Sequence, residues 1–198
     1  MTGRKISGFR SITAVLSAWK INLDVPNFSE ILYFFEEKKL PMSVIAHSFA
    51  VTHTALQMAG CLPVHFYEKI NLQLLTAASL LHDIERQQSE HAKKGAFFVY
   101  EKGYPNLAPL IAVHMDLSFQ ETDVLNETAL LYLADKTCQG IKWISLEQRQ
   151  ALYIKKYGKV DAVEKRFAAA ISVRKVFLQA VDPMIWKHQR LRSFLYAS

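Results

Sequence analysis

His82 and Asp83 stand side by side at the end of an apolar segment, 74–81, whose composition predicts a buried helix. An aspartate is almost never fully buried without a partner, because an unpaired carboxylate loses its hydration. A divalent cation is the simplest partner, since it binds a neutral imidazole nitrogen and a carboxylate oxygen together and cancels the negative charge. The pair therefore predicts a metal site at the end of this helix.

Further potential metal ligands occupy similar apolar settings elsewhere in the chain: His47, His91, His114 and Asp135. A single histidine on an apolar face is more often a hydrogen-bonded core residue, and Asp135 beside Lys136 also fits an ion pair or an exposed carboxylate. Helical bundles that bind metals, however, place their ligands on facing helices that point inward. The recurrence of His and Asp on several predicted helices favours the metal site.

Helical periodicity and capping residues predict an all-α chain. The predicted helices span 30–39 (with Ser29 as N-cap), 42–59, 74–81, 92–101, 107–114, a segment containing Asp135 that begins after Thr122 or Asn126, 146–156 and 161–180. A short helix is also expected at 12–20, and a turn at 61–65. No sustained period-two alternation or hairpin dipeptide predicts a strand.

The composition fits one globular domain, with 198 residues of which 51% are apolar and 21% charged. A net charge of +6 favours an anionic ligand only weakly, because the basic residues are scattered, and nucleic acid is not favoured as a partner. Cys61 and Cys138 have no ligand-like spacing, so we interpret them as reduced thiols of a cytoplasmic protein. No apolar run is long enough for a membrane span, and no membrane partner is expected.

The order His47 … His82-Asp83 … Asp135 resembles the H…HD…D signature of the HD superfamily of metal-dependent phosphohydrolases. Similarity to one bacterial branch extends over AHSFAVTHTALQMA, LLHDIERQQSEHAKKGA, HMDL and LLYLADKTCQGIKWISLEQR. That branch includes HD domains associated with molybdopterin-guanylyltransferase-like proteins and lies near the HD-type symmetrical diadenosine tetraphosphate hydrolases. The resemblance implies a single HD-type helical bundle at 28–180, between an N-terminal extension at 1–27 and a basic, aromatic tail at 181–198.

The resemblance also implies the metal ligands. His47, His82, Asp83 and Asp135 match the residues that hold a first ion. Some members hold a second ion with histidines from the following segment, which here contains His91 and His114, and Asp83 would then bridge the two ions. Mixed His and Asp ligands suit Mn²⁺, Fe²⁺ or Co²⁺, with Mg²⁺ as a further candidate.

Phosphate recognition is expected from Arg86, which stands where the family's HDIGK segment has Lys, and from Lys94 and Lys136. Glu85, in place of the family's Gly, and Asp116 could orient a water molecule or act as a general acid, although surface or supporting carboxylates are the simpler interpretation. The remaining histidines are interpreted as structural: His53, His65 and His188.

The expected activity is attack of a metal-activated water on a phosphate ester of a nucleotide or related small molecule. Within the enzyme class, the alternative is symmetrical cleavage of a dinucleoside polyphosphate. Outside that class, the alternatives are a non-catalytic HD module that binds a nucleotide and regulates a partner, and a helical bundle with a structural metal. A homodimer is left open.

Overall fold

Nine helices and one two-stranded hairpin form the part of the chain that the computed structural model describes, residues 24–181. The helices are α1 (Phe28–Glu37), α2 (Met42–Gly60), α3 (Val64–Tyr67), α4 (Leu72–Leu81), α5 (His91–Glu101), α6 (Ala108–Ala112), α7 (Glu127–Lys136), α8 (Leu146–Tyr157) and α9 (Asp161–Ala180). The predicted all-α fold is therefore confirmed. The helix expected at 12–20 and nearly all of the tail at 181–198 lie outside the described residues.

Three of the described helices, α1, α4 and α7, start at asparagine caps. Asn27 caps α1, because its side chain accepts a hydrogen bond from the Glu30 backbone N–H while the Glu30 carboxylate accepts one from the Asn27 N–H. The prediction of Ser29 as the cap is therefore wrong, since an equally good capping residue lies two positions earlier. Asn126 caps α7 in the same way, which decides between the two predicted starts of that helix.

The turn expected at 61–65 is shorter than predicted. Pro63 precedes the first residue of α3, so His65 lies within a helical turn. A proline is well suited to this position, because its fixed φ angle is compatible with the start of a helix. The prediction is thus wrong for its last two residues.

A short hairpin follows α7, formed by β1 (Cys138–Gln139) and β2 (Lys142–Trp143), which pair in antiparallel fashion with Cys138 opposite Trp143. Gly140 makes the turn with a φ angle of 59°, in the left-handed region that glycine adopts at little cost. The sequence analysis predicted no strand here, because two-residue strands are too short to show alternation. This hairpin places the Gly140 carbonyl beside α2.

The core forms where α2, α4 and α7 pack on one another. The side chains of α4 are buried from Leu75 to Leu81 and those of α7 from Ala129 to Lys136, as their nearly continuous apolar composition predicts. Close packing also brings α5 against α6, since a Cβ at Gly95 would lie 3.2 Å from a methyl carbon of Ile111. None of the described helices is both long and apolar enough to cross a bilayer.

Candidate metal centre

His82 directly follows α4 and its side chain is fully buried. Its Nδ1–H donates a hydrogen bond of 2.8 Å to the Ser79 carbonyl, so its Nε2 carries the lone pair of a neutral ring. Burial lowers the pKa of His82 to about 4, which keeps the ring neutral at pH 7. Among the described residues, Nε2 has no hydrogen-bond partner.

Two further histidines are oriented in the same way by backbone carbonyls. The Nδ1–H of His47 donates to the Gly140 carbonyl over 2.9 Å, and the Nδ1–H of His114 donates to the Ile111 carbonyl over 2.7 Å. A hydrogen bond of this kind fixes the ring orientation of a metal-binding histidine and leaves Nε2 for the metal. The hairpin turn at Gly140, which the sequence did not predict, thus orients one candidate ligand.

Asp135 lies at the end of α7 and faces His47 and His82. Its Oδ1 is 3.1 Å from the Nε2 of His47 and 3.7 Å from the Nε2 of His82, while its Oδ2 accepts a hydrogen bond of 2.7 Å from Lys136. Burial would raise the pKa of Asp135, but the charge of Lys136 and the two histidines outweigh it and hold the pKa well below its usual range. Asp135 is therefore an ionised carboxylate with one oxygen directed at the histidines.

His47 titrates differently from His82 because it contacts this carboxylate directly. Burial lowers the pKa of His47, but the hydrogen bond and the charge of Asp135 outweigh burial and raise it above 6.5. A proton and a cation would therefore compete for the Nε2 of His47. Metal ions compete with protons for histidine ligands in this way.

Asp83 lies between two groups of histidines. Its Oδ2 is 3.6 Å from the Nε2 of His82, and its Oδ1 is 3.3 Å from the Nε2 of His91 and 3.5 Å from the Nε2 of His114. Burial would raise the pKa of Asp83, but the surrounding imidazole rings outweigh burial and hold it well below its usual range. The carboxylate therefore belongs to both groups.

The geometry and the donor set fit a divalent transition metal. The ligand atoms of His47, His82 and Asp83 all lie within 4.8 Å of one another, and so do those of Asp83, His91 and His114. Metal–nitrogen and metal–oxygen distances of about 2.0–2.2 Å allow two ligands of one ion to be up to about 4.4 Å apart. The distances given above from the Asp83 and Asp135 oxygens to the histidine Nε2 atoms, 3.1 to 3.7 Å, fall below that limit. The Oδ1 of Asp83 is, like the Nε2 of His82, buried without a hydrogen-bond partner among the described residues.

A cavity of about 590 Å³ opens over these residues and is lined by His47, Asp83 and Asp135. Four of its lining residues are basic, and Arg86 is the one of these that the sequence analysis predicted. Its Nη1 donates to the Nε2 of His91 over 3.2 Å, and its Nε lies 3.6 Å from the Oδ2 of Asp83.

The other three basic residues of the cavity come from α8: Arg149, Lys155 and Lys156. Sequence reasoning missed Arg149 and treated the two lysines as part of a solvated helix face. Arg149, Tyr153 and Lys156 are four and three residues apart, a spacing that places them on one helix face. This spacing is the signal by which the sequence could have grouped these residues, although the local sequence does not show which face of the helix lines the cavity.

Two residues predicted to bind phosphate lie elsewhere. Lys136 is buried, and its ammonium group donates to Asp135 and, over 3.0 Å, to the His114 carbonyl, so it supports the candidate ligands and does not line the cavity. Lys94 is exposed on α5 and does not line the cavity either. Neither residue lines the cavity, and a direct phosphate contact by either one stays a prediction.

The carboxylates considered as general acids have partners outside the cavity. Glu85 forms an ion pair with Lys38, and Asp116 accepts two hydrogen bonds from Arg166, the shorter of 2.6 Å. Of the histidines interpreted as structural, His53 stacks on Trp143 and His65 packs against Phe66, whereas His188 lies outside the described residues.

Comparison with models of protein families matches residues 44–139 to the family described as HD domain. All six candidate ligands lie within the matched segment: His47, His82, Asp83, His91, His114 and Asp135. Comparison with curated proteins gave no match. Comparison with solved structures gave none either.

Proposed function

Because the match to the HD domain and the cluster of His and Asp side chains both support the HD superfamily, we propose that this protein is a metal-dependent phosphohydrolase. The observation that carries the proposal is that each group of candidate ligands contains a buried atom without a hydrogen-bond partner in the described part of the chain, His82 Nε2 in the first and Asp83 Oδ1 in the second. Buried polar atoms are almost always paired, so the fold supports these two at a cost that a bound cation would offset.

In this proposal, His47, His82, Asp83 and Asp135 hold one ion, and Asp83, His91 and His114 hold a second. The mixed nitrogen and oxygen donors favour Mn²⁺, Fe²⁺ or Co²⁺. When bound, such an ion lowers the pKa of a water molecule and polarises a phosphoryl oxygen. The protein contributes the orientation of the ligands, through the backbone carbonyls that fix the rings and through Lys136, which holds Asp135.

The chain's own residues also argue against a covalent route through cysteine. Burial raises the pKa of Cys138 and of Cys61 to about 12, so neither thiol is a nucleophile near neutral pH.

Arg86 lies at the edge of the cavity beside Asp83, where its guanidinium group could bind a phosphate oxygen. Direct attack by water on the phosphorus is therefore the reaction that this site supports best.

A nucleotide or a related phosphate ester is the proposed substrate. The cavity volume of about 590 Å³ falls in the range of sites for small molecules, and its four basic residues suit an anionic ligand. A dinucleoside polyphosphate, cleaved symmetrically, is the second candidate, because several phosphate groups in one substrate would use more of these cations.

Both cysteines are buried thiols, which supports the proposed cytoplasmic location.

The test is metal analysis of the purified protein, followed by a panel of nucleotides, dinucleoside polyphosphates and simple phosphomonoesters with chelator or with added Mn²⁺. We expect bound transition metal and hydrolysis that chelator abolishes and Mn²⁺ restores. Metal and nucleotide binding without turnover would instead indicate a regulatory module. A protein that neither contains nor responds to any divalent cation would contradict the proposal.

A further inference from the structure

Arg149 is a buried arginine that forms no ion pair with any carboxylate in the described part of the chain, residues 24–181. Its side chain is only 9% exposed, and its Nε has no hydrogen-bond partner among the described residues. The contact that the structure shows for its guanidinium group is the ring of Tyr153, whose centre lies 5.1 Å away. Burying a charge without a counter-charge is unfavourable, so this position requires an explanation.

The other three arginines between residues 24 and 181 all have a carboxylate nearby. Arg166 lies 2.6 Å from Asp116, Arg174 lies 2.7 Å from Glu147, and Arg86 lies 3.6 Å from Asp83. The chain thus supplies counter-charges for arginines, including one on the helix that carries Arg149. The exception among the four is Arg149, which lines the same cavity as His47, Asp83 and Arg86.

We propose that Arg149 binds a second anionic group of the substrate, of phosphate type, while the phosphate group that reacts lies at the His and Asp cluster. A guanidinium group suits this role, because it stays charged when buried and donates two parallel hydrogen bonds to phosphate oxygens. Lys155 and Lys156, on the same helix and in the same cavity, add positive charge along the path of such a substrate. The inference rests on the proposed function and makes it more specific: the site selects substrates with at least two phosphate groups.

A purely structural role for Arg149, stacked on Tyr153, makes a different prediction. If the guanidinium group stabilised the fold, its removal would lower the melting temperature. If the guanidinium group instead serves to bind an anion, its buried charge lowers the stability of the fold while no anion is bound. Arg149→Leu should then keep or raise the melting temperature in anion-free buffer. A large decrease in melting temperature in Arg149→Leu would oppose the proposal.

The direct test compares the affinities of methylenediphosphonate and methylphosphonate, two non-hydrolysable probes with two acidic groups and one. The proteins are the full-length wild type, Arg149→Gln, Arg149→Lys and the control Arg174→Gln, titrated calorimetrically with their metal content measured. We expect Arg149→Gln to weaken diphosphonate binding roughly ten- to a hundredfold, with methylphosphonate binding and metal content unchanged. Arg149→Lys should lose part of that affinity, and Arg174→Gln none.

The proposal is overturned if the wild type does not prefer the diphosphonate, or if the preference persists in Arg149→Gln. Should Arg149→Gln fail to fold, the ratio of the diphosphonate affinity to the methylphosphonate affinity in Arg149→Lys decides. The result is separable from that for the phosphohydrolase function. Bound metal and hydrolysis, with the same preference for the diphosphonate in Arg149→Gln as in the wild type, would contradict only the role of Arg149. Loss of that preference in Arg149→Gln, together with a wild type that hydrolyses nothing, would contradict only catalysis.

Discussion

The Nε2 atoms of His91 and His114 lie 3.2 Å apart, although both rings have a carboxylate oxygen, Asp83 Oδ1, within 3.5 Å. The Nδ1–H of His114 is already donated to the Ile111 carbonyl, so its Nε2 in the neutral ring presents a lone pair to His91. The lone pairs on the Nε2 atoms of His91 and His114 repel each other unless a proton or a cation lies between them. The arrangement is therefore more favourable with a positive charge at this point.

Replacing His91 with alanine tests whether that charge is a metal ion. We expect His91→Ala to lower the metal content by about one ion per chain, because the second group loses a ligand while His47, His82 and Asp135 remain. Metal analysis of the purified variant measures the change, and His53→Ala, which removes a ring stacked on Trp143, serves as the control. Identical metal contents in both variants and the wild type would show that His91 is not a ligand.

Asp83 should affect both groups at once. Asp83→Asn keeps the shape of the side chain but removes the negative charge, and an amide is a poor substitute for a bridging carboxylate. We expect this variant to lose both ions and all detectable hydrolysis, whereas His91→Ala loses one ion. The decisive measurement is metal content followed by rates at saturating Mn²⁺. Full metal content with near-normal turnover in Asp83→Asn would refute the whole assignment.

The helices and the adjacent His82 and Asp83 could be predicted from the sequence because both depend on local patterns. Apolar periodicity and capping residues predict where α2, α8 and α9 lie to within one residue of the structure. The position of Lys136 outside the cavity lining could not be predicted, because its environment is not local. The chain order cannot show that its ammonium group turns toward Asp135 and the distant His114 carbonyl.

Arg149 illustrates the same limit. It lies in a mostly polar helix, 146–157, whose local pattern predicts an exposed side chain. Its surroundings come from outside its own helix, since α9 packs on α8 and Arg149 lines a cavity together with His47 and Asp83, which are remote from it in sequence. The hairpin that supplies the Gly140 carbonyl to His47 was likewise too short to give a periodic signal.

Arg86 and Lys94 should differ in their effect on activity, although the sequence analysis predicts the same role for both. Arg86→Ala should keep its metal and lose about 1.5–3 kcal/mol of interaction with the phosphate group, the magnitude of a hydrogen bond between charged groups. Lys94→Ala should behave like the wild type, because the side chain is exposed outside the cavity. Steady-state kinetics with the best substrate of the panel compares them. Equal losses in the two variants would contradict the positions described above.

Glu147 gives a pH-dependent contribution to stability at the start of α8. Partial burial would raise its pKa, but hydrogen bonds from its own backbone N–H and from Arg174 lower the pKa below 4.5. A carboxylate with a lowered pKa stabilises the fold above pH 4.5, and that contribution is lost as the pH falls through the folded-state pKa. Glu147→Gln should therefore cost about 0.5 kcal/mol at pH 7, since the Glu147 side chain is half exposed, and less at pH 3. Urea unfolding at the two pH values measures this, and a cost independent of pH would exclude the ionic explanation.

Lys136 should contribute most to stability when the metal is absent. Its ammonium group is the nearest positive charge to the buried Asp135 carboxylate, at 2.7 Å, and it also lies 4.6 Å from the centre of the Tyr132 ring. Lys136→Met leaves that carboxylate without a counter-ion and should lower the free energy of unfolding by about 3–5 kcal/mol in chelator. With metal bound, the loss should be smaller, because the ion supplies positive charge to the same carboxylate. The double variant Asp135→Asn/Lys136→Met, which removes both charges, should be more stable in chelator than Lys136→Met alone. Urea unfolding with and without Mn²⁺ measures all three proteins, and a cost that is the same in both conditions would show that no ion reaches Asp135.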